Sequence, residues 1–116
     1  MKKLIATTSL LTAILIFTNC SSTKKAAKAE PAKLTYETNI TTLINANCTP
    51  CHIPSKGGNK KAYDNFASVK SDIDEIIKRI ELHPGEKGFM PFKRARLSDS
   101  TINVFKQWKT DGSLEK

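Results

Sequence analysis

A run of five residues near the middle of the chain constrains its fold more than any other feature. The run is Cys48-Thr49-Pro50-Cys51-His52, and its C-x-x-C-H spacing is that of a c-type haem attachment site. Two thiols separated by two residues can form thioethers with the two vinyl groups on one edge of a porphyrin, while the imidazole that follows binds the iron. A haem held in this way supplies apolar surface to a small core, so the rest of the domain has to fold around it.

The same cysteine spacing also occurs in two other kinds of site. A thioredoxin-like redox dithiol belongs to a βαβ unit, and this sequence shows no alternation of strand and helix patterns. Structural zinc takes a second pair of ligands further along the chain, but beyond His52 there is only His83 and no other cysteine. The sequence therefore favours haem attachment over both alternatives.

The first 19 residues have the pattern of a signal peptide. Lys2 and Lys3 precede an apolar run, Leu4–Phe17, which is 14 residues long. A helix that crosses a bilayer needs about 20 apolar residues, so a secretory segment fits better than an uncleaved anchor, which remains the alternative. Residues 1–19 are therefore excluded from the predicted fold.

The segment that follows resembles a bacterial lipobox, with Cys20 as the lipidated residue. Phe17 and Asn19 stand where that pattern usually has leucine and a small residue. The alternative cleavage signal, Ala27-Lys28-Ala29, lies far from the apolar run. One lipid and one haem would use all 3 cysteines. The signal peptide and the lipobox together predict an exported protein anchored by Cys20 on the periplasmic side of a bacterial membrane or at the cell surface.

Residues 20–33 contain no large apolar side chain and are predicted to be a flexible tether. Of the formal net charge of +8, two positive charges lie in the signal peptide and three in the tether, which leaves +3 on residues 34–116. Two haem propionates would reduce that charge to about +1. The basic composition therefore does not predict a nucleic-acid partner.

Residues 34–116 form the predicted domain, and their apolar residues recur at helical spacing. Four groups do so: Ile40, Leu43 and Ile44; Tyr63, Phe66 and Val69; Ile73, Ile76, Ile77 and Ile80; and Ile102, Phe105 and Trp108 with Val104 beside them. Ser71 and Ser98 are predicted to cap the third and fourth helices. No segment predicts a strand, so the expected fold class is all-α.

The order of these parts resembles a small class I monohaem cytochrome c of the bacterial lipoprotein type. The resemblance covers residues 34–116 and depends on the C-x-x-C-H run and on Gly88-Phe89-Met90-Pro91, with Trp108 as weaker support. It implies a helical domain wrapped around one covalent haem, with the first and last helices crossing. It also implies a monomeric single-electron carrier that exchanges electrons with redox partner proteins and is not itself an enzyme.

Met90 is the predicted sixth ligand of the iron. It stands 38 residues after His52, Gly88 lets its loop approach the haem, and Pro91 stiffens that loop. A methionine opposite a histidine raises the reduction potential. Two alternatives remain: His83 as the ligand, or an open position, which would suit a gas sensor or a peroxidase-like protein. A fixed relay in an accessory haem subunit of a respiratory complex is a third functional alternative.

The surroundings of the haem are also predicted. Phe92, Phe105 and Trp108 are expected in the core against the porphyrin, with the Trp108 indole able to reach a propionate. A carbonyl of the 53–59 loop, such as that of Pro54, is expected to accept the second ring N–H of His52. Basic residues are expected to frame the haem edge and steer an acidic partner: Lys56, Lys60, Lys61, Lys87, Lys93, Arg94 and Arg96.

Overall fold

The computed structural model describes residues 31–116. The predicted signal peptide, the predicted lipidation site Cys20 and most of the predicted tether lie outside the described residues. Within residues 31–116, no helix has the length and apolar character needed to cross a membrane.

Four helices make up the regular structure of this part of the chain. They are α1, which starts as a π-helical segment, Tyr36–Ile40, and continues as the α-helix Thr41–Asn47; α2, Phe66–Ser71; α3, Ile73–Glu81; and α4, Asp99–Thr110. A 3-10 turn, Pro54–Lys56, lies between α1 and α2. The described residues contain no strand, and Thr35 and Leu114 form an isolated parallel bridge. The predicted all-α class is confirmed.

Helix α1 carries the C-x-x-C-H run at its C-terminal end, as predicted. The side chain of Thr35 caps the start of the helix by accepting a hydrogen bond from the backbone N–H of Thr38, at 3.3 Å. Ile40 and Ile44 are buried on one face. The backbone N–H of Cys48 donates to the carbonyl of Ile44 at 2.8 Å. The first cysteine of the motif is therefore held at the end of α1, where the loop begins.

The predicted cap at Ser71 is wrong. Ser71 is the last residue of α2, and its hydroxyl donates to the carbonyl of Ser68 at 2.9 Å. Helix α3 starts after Asp72, whose side chain makes no capping bond because its carboxylate binds Tyr63 and Lys61 instead. The residue before α3 therefore uses its carboxylate for tertiary contacts and not for capping.

Helix α4 matches its prediction closely. Ser98 accepts a hydrogen bond from the backbone N–H of Thr101 at 3.2 Å and caps the helix. Helix α4 packs against α3 and against the first turn of α1, with Ile102, Phe105 and Trp108 buried between them. The helix ends at Thr110, just before Asp111 and Gly112.

Trp108 belongs to the core, as predicted, but its indole does not serve a propionate. The side chain is fully buried, and its Nε1–H donates to the carbonyl of Leu114 at 2.8 Å. The same carbonyl accepts from the backbone N–H of Tyr36 at 2.8 Å. Trp108 therefore ties the segment after α4 to the start of α1.

Candidate functional site

The four residues predicted to bind the cofactor line one cavity. The cavity has a volume of about 660 Å³, and Cys48, Cys51, His52 and Met90 all contribute to its wall. Its remaining wall comes from the loop before α2, from α3, from the segment between α3 and α4, and from α4. Ligand sites in proteins span about 300–1,000 Å³, so the cavity has the dimensions of a binding site for a large organic group.

The side chains that line the cavity include an apolar group and a charged group. Its apolar side chains come mainly from α3 and α4 and from the loop between them: Ile76, Ile80, Leu97 and Phe105, together with Met90 and Pro91. Its charged side chains include both signs: Lys60, Lys61, Arg79 and Arg94, with Asp72 and Glu75. An apolar wall beside a few charged groups suits a mainly apolar ligand that also carries polar substituents.

Backbone hydrogen bonds fold the C-x-x-C-H loop back on itself. The N–H of His52 donates to the carbonyl of Cys48, and that of Lys60 to the carbonyl of Cys51, each at 3.0 Å. The N–H of Tyr63 donates to the carbonyl of His52 at 2.9 Å. The segment after the motif therefore wraps around it and holds its backbone.

Gly58 makes this wrapping sterically feasible. A Cβ at this position would lie 2.7 Å from the carbonyl oxygen of Cys51, 2.8 Å from that of Ile53, and closer still to that of Pro50. Only a residue without a side chain can approach three carbonyl groups so closely. Gly58 therefore allows the motif and the following loop to pack closely, whereas its sequence context indicated only a loop.

The tautomer of His52 follows from its hydrogen bond. Its Nδ1 lies 2.7 Å from the backbone carbonyl of Lys61. A carbonyl only accepts, so Nδ1 carries the hydrogen and Nε2 keeps a lone pair for a metal. The expected acceptor in the 53–59 loop is wrong, because the carbonyl of Pro54 accepts from the N–H of Gly57 at 3.0 Å and the loop continues to Lys61 before it meets the imidazole.

Cys48, the first cysteine of the motif, lacks the lowered pKa of a reactive thiol. Both cysteines of the motif are free thiols, Cys48 half-buried and Cys51 exposed. Burial raises the pKa of Cys48 to about 11, although the charge of Arg94 acts to lower it. Reactive dithiols require a lowered pKa, so the thioredoxin-like alternative gains no support. Among residues 31–116 no three His, Cys, Asp or Glu side chains converge as a metal site, so zinc gains none either.

Tertiary structure brings Met90 to the cavity and leaves His83 outside it. The backbone N–H of Met90 donates to the carbonyl of Arg79 at 3.2 Å, which fastens the loop to α3. Gly88 has a φ of +97°, a conformation that favours glycine, and it turns the chain toward Met90. His83 is exposed and does not line the cavity.

Phe92 is not part of the protein core, although it lines the cavity where contact with a porphyrin was predicted. Its side chain is 66% exposed at the wall of the cavity, whereas Phe89 is buried in the same loop. Phe89 is 7% exposed, and it follows Gly88, whose φ is +97°. Phe105 is buried and lines the cavity, as predicted.

Three of the seven basic residues predicted to frame the site line the cavity: Lys60, Lys61 and Arg94. The guanidinium of Arg94 donates to the carbonyls of Ala46 and Asn47, each at 3.4 Å, at the C-terminal end of α1 where a positive charge is favourable. Arg79 also lines the cavity, and no sequence pattern predicted a role for it.

A group of polar residues behind His52 was not found from the sequence. The ring of Tyr63 stacks on the imidazole of His52, with centroids 4.5 Å apart and planes 12° from parallel. The Tyr63 hydroxyl donates to Asp72, and the ammonium of Lys61 lies 2.6 Å from the same carboxylate. No sequence pattern joins these residues, because they meet only when the loop after the motif returns to the start of α3.

Burial, hydrogen bonds and neighbouring charges determine the protonation states of Asp72 and Tyr63. Burial acts to raise the pKa of Asp72, but hydrogen bonds from Lys61 and Tyr63 and the charges of Lys61 and Arg79 outweigh it, so the pKa is lowered. Burial raises the pKa of Tyr63 well above its usual value, and the neighbouring Asp72 adds to this effect. Asp72 is therefore an anion and Tyr63 a neutral donor at neutral pH.

The donors present fit a covalently attached haem. Two thiols are available for thioethers, His52 offers Nε2, and the thioether sulfur of Met90 belongs to the same cavity. Comparison with protein-family models, curated proteins and solved structures found no match to this chain. Its function is therefore inferred from its side chains and their geometry.

Proposed function

We propose that this chain is a monohaem c-type cytochrome that carries single electrons. The observation that supports this most strongly is the convergence of Cys48, Cys51, His52 and Met90 on one cavity. Met90 stands 38 residues beyond His52, so local sequence alone does not bring the two together. A thiol pair, an imidazole and a thioether on an apolar cavity are the groups that a c-type haem requires.

Each residue has a distinct role in this proposal. Cys48 and Cys51 tether the porphyrin, and His52 binds the iron through Nε2 while Lys61 holds the opposite ring nitrogen. Met90 would supply a second ligand to the iron. A bound haem would supply the one-electron couple, and the apolar side chains of the cavity wall would limit the access of water to it.

The protein is proposed to be an electron carrier rather than an enzyme, because a substrate has no open coordination position when His52 and Met90 both bind the iron. It would act as a monomer and meet its redox partner proteins at the exposed side of the cavity, where Phe92 and the basic residues Lys60 and Arg94 lie. Opposite charge on such a partner would speed association.

The proposed location is the periplasmic side of a bacterial membrane or the cell surface. It depends on Cys20 as the lipidated residue and on residues 20–33 as the tether, both inferred from the sequence. Mass spectrometry of the mature N-terminus decides the matter: diacylglycerol on Cys20 supports it, and a chain that retains Met1 contradicts it.

The first experiment tests for covalent haem. The protein is expressed with haem-attachment machinery, purified, and extracted with acidic acetone. Haem bound through Cys48 and Cys51 stays with the protein during extraction. A folded, colourless wild-type protein would contradict the proposed function.

The second experiment tests the axial ligand. Met90→Ala should keep the haem attached but lower its potential by on the order of 0.1 V, within the ~0.8 V range that axial ligands set, and should admit carbon monoxide. His83→Ala is the matched control, because His83 is exposed and outside the cavity, and it should leave spectrum and potential unchanged.

The same pair of variants separates the alternatives. If wild-type protein already binds carbon monoxide as readily as Met90→Ala does, the position is open and a gas sensor or peroxidase-like role replaces electron transfer. If His83→Ala changes the spectrum and Met90→Ala does not, His83 is the ligand. Stable co-purification with larger respiratory subunits would instead favour a fixed relay.

A further inference from the structure

Three residues close a ring of contacts around the proposed iron ligand His52. The backbone carbonyl of Lys61 accepts from Nδ1 of His52 at 2.7 Å, and the ammonium of Lys61 lies 2.6 Å from Asp72. Asp72 accepts from the hydroxyl of Tyr63, whose ring stacks on His52 at 4.5 Å. This series of contacts therefore begins and ends at the imidazole of His52.

Each contact in this ring restricts a different motion of the imidazole. The hydrogen bond to Lys61 fixes the rotation of the ring in its own plane, because it directs Nδ1 to one carbonyl. Stacking against Tyr63 fixes the tilt of that plane, which lies 12° from the plane of the tyrosine ring. The backbone N–H of Tyr63 also donates to the carbonyl of His52 at 2.9 Å, so backbone and side chain are held by the same residue.

Asp72 contacts both Lys61 and Tyr63. It lies between α2 and α3, and its side chain is 16% exposed. One carboxylate oxygen binds the ammonium of Lys61 and the other the hydroxyl of Tyr63. A single side chain at the start of α3 thus contacts both Lys61, whose backbone carbonyl accepts from His52, and Tyr63, whose ring stacks on it.

We infer that Tyr63, Asp72 and Lys61 are positioning residues that set the orientation of the His52 ring and, through it, the reduction potential of the haem. This inference rests on the proposed function, because it concerns His52 as an iron ligand. A short hydrogen bond from Nδ1–H strengthens donation from Nε2 to the iron, which favours the ferric state. Loosening the ring of contacts therefore raises the potential.

The decisive variant is Tyr63→Leu, which removes both the stacked ring and the hydroxyl. In the haem-loaded protein its potential should rise, and the ferric low-spin electron paramagnetic resonance spectrum, which depends on the orientation of the axial ligand planes, should change. Tyr63→Phe keeps the stacked ring and should change both readouts less. Tyr36→Leu is the control for lost packing, since Tyr36 is a buried tyrosine that does not line the cavity.

A second pair of variants tests the carboxylate without removing a buried ring. Asp72→Asn should raise the potential and alter the resonance spectrum, because the ion pair with Lys61 is lost. Glu75→Gln removes a negative charge from the same cavity wall, but Glu75 pairs with Arg79 at 2.7 Å and does not contact the His52 group. It should therefore leave the spectrum unchanged even if the lost charge moves the potential.

The outcomes separate this inference from the proposed function. Haem-loaded Tyr63→Leu with the wild-type spectrum and potential would overturn the inference and leave the proposed function intact. Equal effects of Asp72→Asn and Glu75→Gln on potential, with neither changing the spectrum, would also overturn it by reducing Asp72 to a simple charge. A wild-type protein without covalent haem would overturn both.

Discussion

At the scale of single residues, the site depends on a glycine as much as on its ligands. Gly58 lies beneath the carbonyl groups of Pro50, Cys51 and Ile53, within the space that a side chain would need. Its N–H donates to the carbonyl of Ile53 at 3.1 Å. The shape of the C-x-x-C-H loop is therefore set in part by a residue that has no functional group.

Gly58→Ala should reduce both stability and haem attachment. The new methyl group would overlap backbone atoms that cannot move without opening the loop, so we expect a loss at or above the upper end of the ~1–3 kcal/mol typical of overpacking. Urea unfolding and the yield of covalent haem measure the two effects.

Gly57→Ala is the matched control for this prediction. Gly57 has a φ of +83° but no atom within 4 Å of an added Cβ, so alanine there costs only backbone strain, about 1–2 kcal/mol. If Gly58→Ala destabilises the protein no more than Gly57→Ala does, the close approach seen at Gly58 does not shape the loop.

At the scale of helices, the two serines that the sequence marked as caps have different roles. Ser98 accepts from the N–H of Thr101 and starts α4, whereas Ser71 ends α2 and bonds only to the carbonyl of Ser68. Both are exposed, so burial does not complicate a comparison between them. Comparing them measures how much a capping hydrogen bond contributes to the free energy of unfolding.

Ser98→Ala should destabilise the protein by about 1 kcal/mol, because an N–H at the start of α4 loses its partner. Ser71→Ala should change stability by less than about 0.5 kcal/mol, since alanine also suits a helix. Chemical unfolding of both variants in the haem-loaded protein checks this. Equal losses would show that Ser71 has a capping role that the structure does not contain.

At the scale of the whole molecule, the cavity and the core share their side chains. Ile76, Ile80 and Phe105 line the cavity and belong to the buried cluster that joins α1, α3 and α4. Without a ligand these side chains lose apolar contacts on one side. Folding and haem attachment should therefore be coupled.

The double variant Cys48→Ser, Cys51→Ser, purified without haem, should lose much of its helicity and at least the ~3–5 kcal/mol of stability that removing one large aromatic side chain from a core costs. Far-ultraviolet circular dichroism and thermal unfolding measure both. Cys20→Ser is the control, because it removes a thiol outside the domain and should keep haem and helicity. Wild-type helicity in the haem-free double variant would contradict the coupling.

The sequence by itself determined the features that depend on neighbours along the chain. The helical spacing of Ile73, Ile76 and Ile80 indicated a buried face, and Ser98 before α4 indicated a cap; both are confirmed. The C-x-x-C-H spacing and the turn before Met90 indicated the cavity residues in the same way, and the structure brings them together. The attached haem and the Met90 bond to iron remain predictions.

Tertiary structure alone decided the contacts between segments that are distant along the chain. The acceptor of the His52 ring N–H is Lys61, and helix α3 starts after Asp72, which binds Tyr63 and Lys61, and not after the predicted cap Ser71. These outcomes depend on the path of the loop over residues 53–63, which no periodicity encodes. Spacing along a helix fixes which side chains share a face, but the partners of a polar group are fixed only when loops close and bury it.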